Sequence, residues 1–170
     1  LSEQCINQTK ITYPKNTPLI LAIYKKQPEV VWALLSRNNI HKSINRSDQD
    51  GVRPLAHAIN TQQTDIALQL IDHPRISEKS INQPDNNGVI PIVAAIGRGQ
   101  TSVAFKLLDH PSISQSIIHY QKKHKSTMLK KLLVTNIPNK HTIISKLLKR
   151  DDIAASINTP DLKGITPLLW

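Results

Sequence analysis

The sequence predicts an all-α array of stacked helix-turn-helix units, about four of them followed by the start of a fifth, and three observations predict it. One frame recurs in SINRSDQDGVRPL (43–55), SINQPDNNGVIPI (80–92) and SINTPDLKGITPL (156–168), with eleven residues from Ser to Pro each time. Prolines mark the period: Pro18, Pro54 and Pro91 are 36 and 37 apart, and Pro167 lies 76 beyond Pro91, room for one more unit. Apolar residues between the prolines fall in two blocks of helical spacing. The expected organisation is a leader over 1–16, units over 17–52, 53–89, 90–126 and 127–165, and a partial unit over 166–170.

Within a unit the inner helix comes first. Leu19, Ala22 and Ile23 form one face, repeated as Leu55, Ala58, Ile59 and as Ile92, Ala95, Ile96. The proline before each block suits the first helical position, where its missing N–H is not needed. An outer helix follows, with Val30, Leu34, Leu35, then Ile66, Leu70, Ile71, then Val103, Leu107, Leu108, then Ile143, Leu147, Leu148. Asp72-His73-Pro74 and Asp109-His110-Pro111 stop that helix, because the residue before proline is pushed out of α geometry. Five residues after each apolar pair stands Ile40, Ile76, Ile113 or Ile153, expected to tuck back under the outer helix. An extended excursion bent by Asp-x-x-Gly closes the unit. No unit buries its two apolar faces alone, so neighbours must stack, and Ala22, Ala58 and Ala95 allow inner helices a close approach.

Composition agrees and removes other classes. The 170 residues suit one continuous core, which is aliphatic: 23 Ile and 18 Leu against 4% aromatics. A lone Cys5 makes no intrachain disulfide and points to a reducing, intracellular compartment. The longest apolar run is six residues, whereas a membrane span needs about 20. The polar start, without Met or an apolar signal segment, and the end at Trp170 inside a helix both suggest a piece of a longer protein.

At this level of detail the chain resembles the ankyrin repeat family, whose signature is Asp-x-x-Gly-x-Thr-Pro-Leu, then Ala, then Val-x-x-Leu-Leu. DLKGITPL (161–168) matches the first part throughout, and GRGQTSVAFKLL (97–108) matches the second. The resemblance covers 14–170 and implies an ankyrin-repeat solenoid. Units of 36 to 39 residues exceed the usual 33. The family's His after Thr-Pro-Leu is replaced by Ile20, Ala56 and Val93, which weakens the expected hydrogen bonding within a unit. The fourth unit departs furthest, since SIIHYQKKHKSTML (116–129) loses Asn, Asp, Gly and Pro together.

The resemblance implies a non-catalytic protein-interaction module that binds through excursion tips and the solvent side of the inner helices. Carried over by position, the tips are Arg46, Gln49, Asp50 and Val52, then Gln83, Asn86, Asn87 and Val89, and the inner-helix positions are Tyr24, Lys25, Asn60 and Arg98. Long divergent units rich in Lys and Asn and poor in aromatics look like those of effectors that intracellular bacteria deliver into host cytoplasm. That likeness implies a host protein as partner, with an acidic one matching the charge.

Charge supplies a second reading. Of the formal +10, nearly all comes from 110–150, where nine Lys or Arg and no acid occur. His119, Tyr120, Lys122, Lys123 and Lys125 could hold nucleic acid or an anionic membrane there. One aromatic is too few for a base-stacking platform, so a solvated lysine-rich face is favoured. A third reading makes the chain the targeting segment of an enzyme whose catalytic domain lies elsewhere.

Sites of chemistry are otherwise not expected. Asp48, Asp85 and Asp161 read as turn-closing residues, with Gly51, Gly88 and Gly164 supplying the permissive backbone. One carboxylate per loop is too few for calcium. His73 and His110 stand in equivalent positions, about 8–10 Å apart in a stack, too far to share zinc, whose ligands sit about 2 Å from the ion. The stretch 97–102 lacks the third glycine and the preceding strand of a phosphate loop. Cys5 has no paired base in its motif. The expectation is no catalytic residue, no metal and no cofactor.

Overall fold

Each helix pair predicted for the first three units is present, and the first two units add a third, shorter helix. The computed structural model describes residues 16–114, 132, 136 and 139–149. In the first unit α1 spans Pro18–Tyr24, α2 Pro28–Leu35 and α3 His41–Ile44. The order recurs as α4 (Pro54–Asn60), α5 (Thr64–Asp72) and α6 (Glu78–Asn82), then as α7 (Pro91–Gly97) and α8 (Thr101–Asp109). The last described helix, α9 (Lys140–Leu148), falls where the fourth outer helix is expected. Among the described residues there is no strand, and no helix is long and apolar enough to cross a membrane.

Proline opens all three inner helices, and Thr17 adds a cap to the first by accepting the Ile20 N–H at 3.2 Å. The inner helices all end the same way. Lys26, Gln62 and Gly99 take left-handed φ values of 53°, 59° and 69°. That lets the next residue's N–H reach back to the helix, from Gln27 to Ala22, Gln63 to Ala58 and Gln100 to Ala95, at 2.9–3.0 Å. The chain thereby turns within three residues into the outer helix. The outer helices α5 and α8 stop as expected, with His73 and His110 extended before their prolines. Each of these histidines accepts a backbone N–H on Nδ1, from Arg75 and Ser112 respectively.

Inner helices stack side by side, α1 on α4 on α7, and α5 lies along α8. The buried face is the predicted one: Leu19, Leu55, Ile92, Ala58, Ala95, Leu70 and Leu107 are fully enclosed, and so is Ile40, whereas Ile76 and Ile113 are half-buried against the core and Ile153 lies outside the described residues. Two expected core positions differ. Val30 is 44% exposed and Leu148 48%. Ile66 and Val103, the counterparts of Val30, are buried, while the next column, Val31, Ala67 and Ala104, is buried in all three units. Val30 lies on the flank of the first described helix pair, the side that in later units meets the pair before it.

The excursion is less extended than expected. Ser43 and Ile44, and likewise Ser80 and Ile81, are buried as parts of α3 and α6, and Ser77 caps α6 by accepting the Ser80 N–H. The third residue of each Ser-Ile-Asn ties one unit to the next. Asn45 Oδ1 accepts the Ser77 N–H at 2.8 Å and the Ser80 hydroxyl at 2.9 Å, while its Nδ2 donates to Arg75 O at 2.8 Å. Asn82 repeats the clip one unit on, donating to Ser112 O at 2.6 Å and accepting the Ser114 N–H at 3.1 Å. A second series runs through the turns: Gln63 donates to Ile23 O and Gln100 to Ile59 O, both at 2.7 Å. Exposed ion pairs Lys106–Asp72 and Lys146–Asp109 continue the pattern along the outer helices, each worth under about 1 kcal/mol.

Candidate functional site

Excursion tips and inner helices together border a groove, and the tips are built first by their aspartates. Asp48 Oδ1 accepts the N–H groups of Asp50 and Val52 at 2.9 Å, and Asp85 Oδ1 those of Asn87 and Val89 at 2.9 and 2.8 Å. Each loop is closed again by a bond from the Asp N–H to the valine carbonyl at 3.0 Å. Gly51 and Gly88 sit at φ 74° and 82°, as the turn requires. These aspartates are structural.

Neighbouring tips are also joined. The Asn86 N–H donates to Asp50 O at 2.9 Å and its Nδ2 to Gln49 O at 3.0 Å. A Cβ on Gly51 would stand 2.6 Å from Asn86 Oδ1. Glycine at 51 therefore serves both the turn and the contact between tips.

One latch was not expected. The histidine of the family signature is missing from its usual place, but His57, one residue further on, reaches Asp48 Oδ2 at 2.7 Å. The pair is largely enclosed, with 16% and 8% of the side chains exposed. It restores by a different route a hydrogen bond between tip and inner helix, here joining the first unit to the second. In the third unit Ala94 occupies the corresponding place, and among the described residues Asp85 has no such partner.

Two pockets line the groove at equivalent places. The first, about 210 Å³, lies between Tyr24 of α1, the 48–50 tip and His57 of α4. The second, about 390 Å³, lies between Asn60 of α4, the second-unit tip at Asp85 and Asn87, and Ala94 and Arg98 of α7.

The structure sorts the candidate residues into three groups. Tyr24, Lys25, Gln49, Asp50, Asn87 and Arg98 are exposed along or beside the groove, and Asn60 is half-buried in its wall. Lys25 Nζ lies 5.9 Å from the centre of the Tyr24 ring, and Arg98 Nε donates to Asn60 Oδ1 at 3.1 Å. Arg46 is exposed, as is Gln83, which accepts from Arg53 Nη2 at 2.8 Å. Arg53 itself is partly enclosed, and burial lowers its pKa from the ordinary guanidinium value.

The second group requires correction. Val52 is 9% exposed and Val89 is half-buried against the core, so neither is a free tip residue. Their backbones bond to the turn aspartates, which turns the side chains inward. The recurrence of an aliphatic at 52, 89 and 165 is the sequence signal for this role. Asn86 is exposed but committed to the neighbouring tip. The third group, His119, Tyr120, Lys122, Lys123 and Lys125, lies outside the described residues.

Stacked helical hairpins with short tips bordering a groove define a repeat solenoid whose exposed residues can recognise a surface. The family model for ankyrin repeats, in three copies, matches residues 19–119, well over half of the chain. The chain belongs to the ankyrin repeat family. No curated protein matches its sequence. Ankyrin repeats are generally protein–protein interaction modules, and the fold is typically non-catalytic.

Proposed function

We propose that this chain is the ankyrin part of a larger effector-like protein and binds a host-cell protein through the groove formed by Tyr24, Gln49, Asp50, Asn60, Asn87 and Arg98. One observation carries the reading. The recurring residues Asp48, Asp85, Gly51, Asn45 and Gln63 are consumed by turns and inter-unit bonds, while the groove columns change from unit to unit and stay accessible. Fixed columns that build a rigid frame and variable columns that face outward are what selective binding needs. The long units, abundant Lys and Asn and scarce aromatics support the effector assignment. A specific interface buries about 800 Å² per partner, an area that three or four units can present.

Affinity capture from host-cell lysate tests this reading. The wild-type chain is expected to retain a defined protein. A variant with Gln49, Asp50, Asn60, Asn87 and Arg98 changed to Ala should lose it, and one with Trp32→Ala on α2 should keep it. Equal retention by all three would remove the groove from the account.

The basic run over 116–150 favours a second reading, docking on nucleic acid or an anionic membrane. It predicts binding that falls steeply with added salt and collapses on Lys122→Glu, Lys123→Glu and Lys125→Glu.

A further inference from the structure

The two pockets of the groove are one site repeated, with its chemistry changed. Tyr24 and Asn60 share a column 36 residues apart, and Asp48 with Asp85, Asp50 with Asn87, and His57 with Ala94 share columns 37 apart. In both, the turn aspartate has one oxygen saturated by two backbone N–H groups. The difference lies in the other positions.

In the first pocket Asp50 is exposed, and its carboxylate meets no cation among the described residues. Beside it Tyr24 is 57% exposed, and a cation over an aromatic face is attracted to it. Asp48 is already held by His57, so Asp50 and the Tyr24 ring remain to meet a ligand. Lys25, whose Nζ stands 5.9 Å from the centre of that ring, limits the attraction but does not line the pocket. The second pocket replaces Asp50 with neutral Asn87 and His57 with Ala94, and adds Arg98. Asn60 takes the Nε–H of Arg98 and so fixes its guanidinium plane. Arg98 forms no ion pair among the described residues, and a fixed guanidinium presents paired donors to a carboxylate.

We infer that the groove takes an extended peptide segment of its protein partner, bearing a basic and an acidic side chain three residues apart. The basic one sits between Tyr24 and Asp50 and the acidic one against Arg98. This deepens the interaction reading and rests on it. The spacing follows from the stack. Units separated by one helix-packing distance, about 10 Å, are bridged by three residues of extended, polyproline II-type chain at about 3.1 Å each, whose three-residue turn also returns the side chain to the same face. A helical ligand would need about seven residues for the same step, at about 1.5 Å each. The interval between the charges therefore reports the ligand's conformation.

A phage-displayed library of random 12-residue peptides, panned against the whole chain, tests the inference. Selected peptides should share a basic and an acidic residue three apart. Asp50→Lys and Arg98→Glu should each weaken a representative peptide about tenfold, the scale of close interfacial charge pairs, with the melting temperature unchanged. The same peptide with its two charges exchanged should regain affinity for the double variant. Peptides that lose binding on Asn60→Ala and Arg98→Ala but carry no such pair, or carry it seven apart, overturn the inference and leave the groove as the binding face. Peptides indifferent to every groove substitution overturn both. An empty selection overturns the inference alone, since lysate capture decides separately whether the groove binds protein.

Discussion

The first and second excursions are two copies of one loop, and they differ where it matters. Both close on an aspartate, both turn at a left-handed glycine, and both turn a valine inward. The first meets the His57 latch and ends in Asp50, whereas the second meets Ala94, ends in Asn87 and faces Arg98. What this teaches is a division of labour. Columns that close turns or clip units together set the frame, and columns beside them are free to set charge and shape.

The strongest way to break the comparison is at Gly51. Gly51→Ala forces a strained φ and drives a methyl group into Asn86, and should lower stability by about 3 kcal/mol in urea unfolding. A loss below about 0.5 kcal/mol would mean that the contact between tips is not formed. Next come the clips. Asn45→Ala removes three hydrogen bonds to the following unit and should cost about 2 kcal/mol, with Asn82→Ala close behind. Equality of either variant with wild type would contradict the clip.

The latch sharpens the contrast directly. Asp48→Asn should cost about 1 kcal/mol more than Asp85→Asn, because only Asp48 has His57 on its second oxygen. In a His57→Ala background that difference should vanish, which a double-mutant cycle reads. The smallest effect lies at the helix turns. Gln62→Gly should raise stability by about 0.5–1 kcal/mol, and Gly99→Ala should lower it by a similar amount, since both residues hold the same left-handed turn.

The frame was legible because it repeats. Pro18, Pro54 and Pro91 mark the inner helices, Asp48 and Asp85 with their glycines mark the turns, and the histidines before Pro74 and Pro111 mark the outer-helix ends. Two things were not legible. Helices α3 and α6 span four and five residues, too few for a 3.6-residue period to show, so Ser-Ile-Asn reads as loop until Asn45 and Asn82 are seen bonding across units. The His57 latch occurs once, so no recurrence announces it. Candidate tip residues picked by position alone mixed the two kinds of column, with Val52 and Asn86 belonging to the frame and Asp50, Asn87 and Arg98 to the groove.

Hydrogen–deuterium exchange of the chain with and without a saturating protein partner or selected peptide tests the central claim most directly. Binding should slow exchange at the 48–51 and 85–88 tips and in α1, α4 and α7, and leave α2, α5 and α8 unchanged. Protection confined to the outer helices would contradict the account.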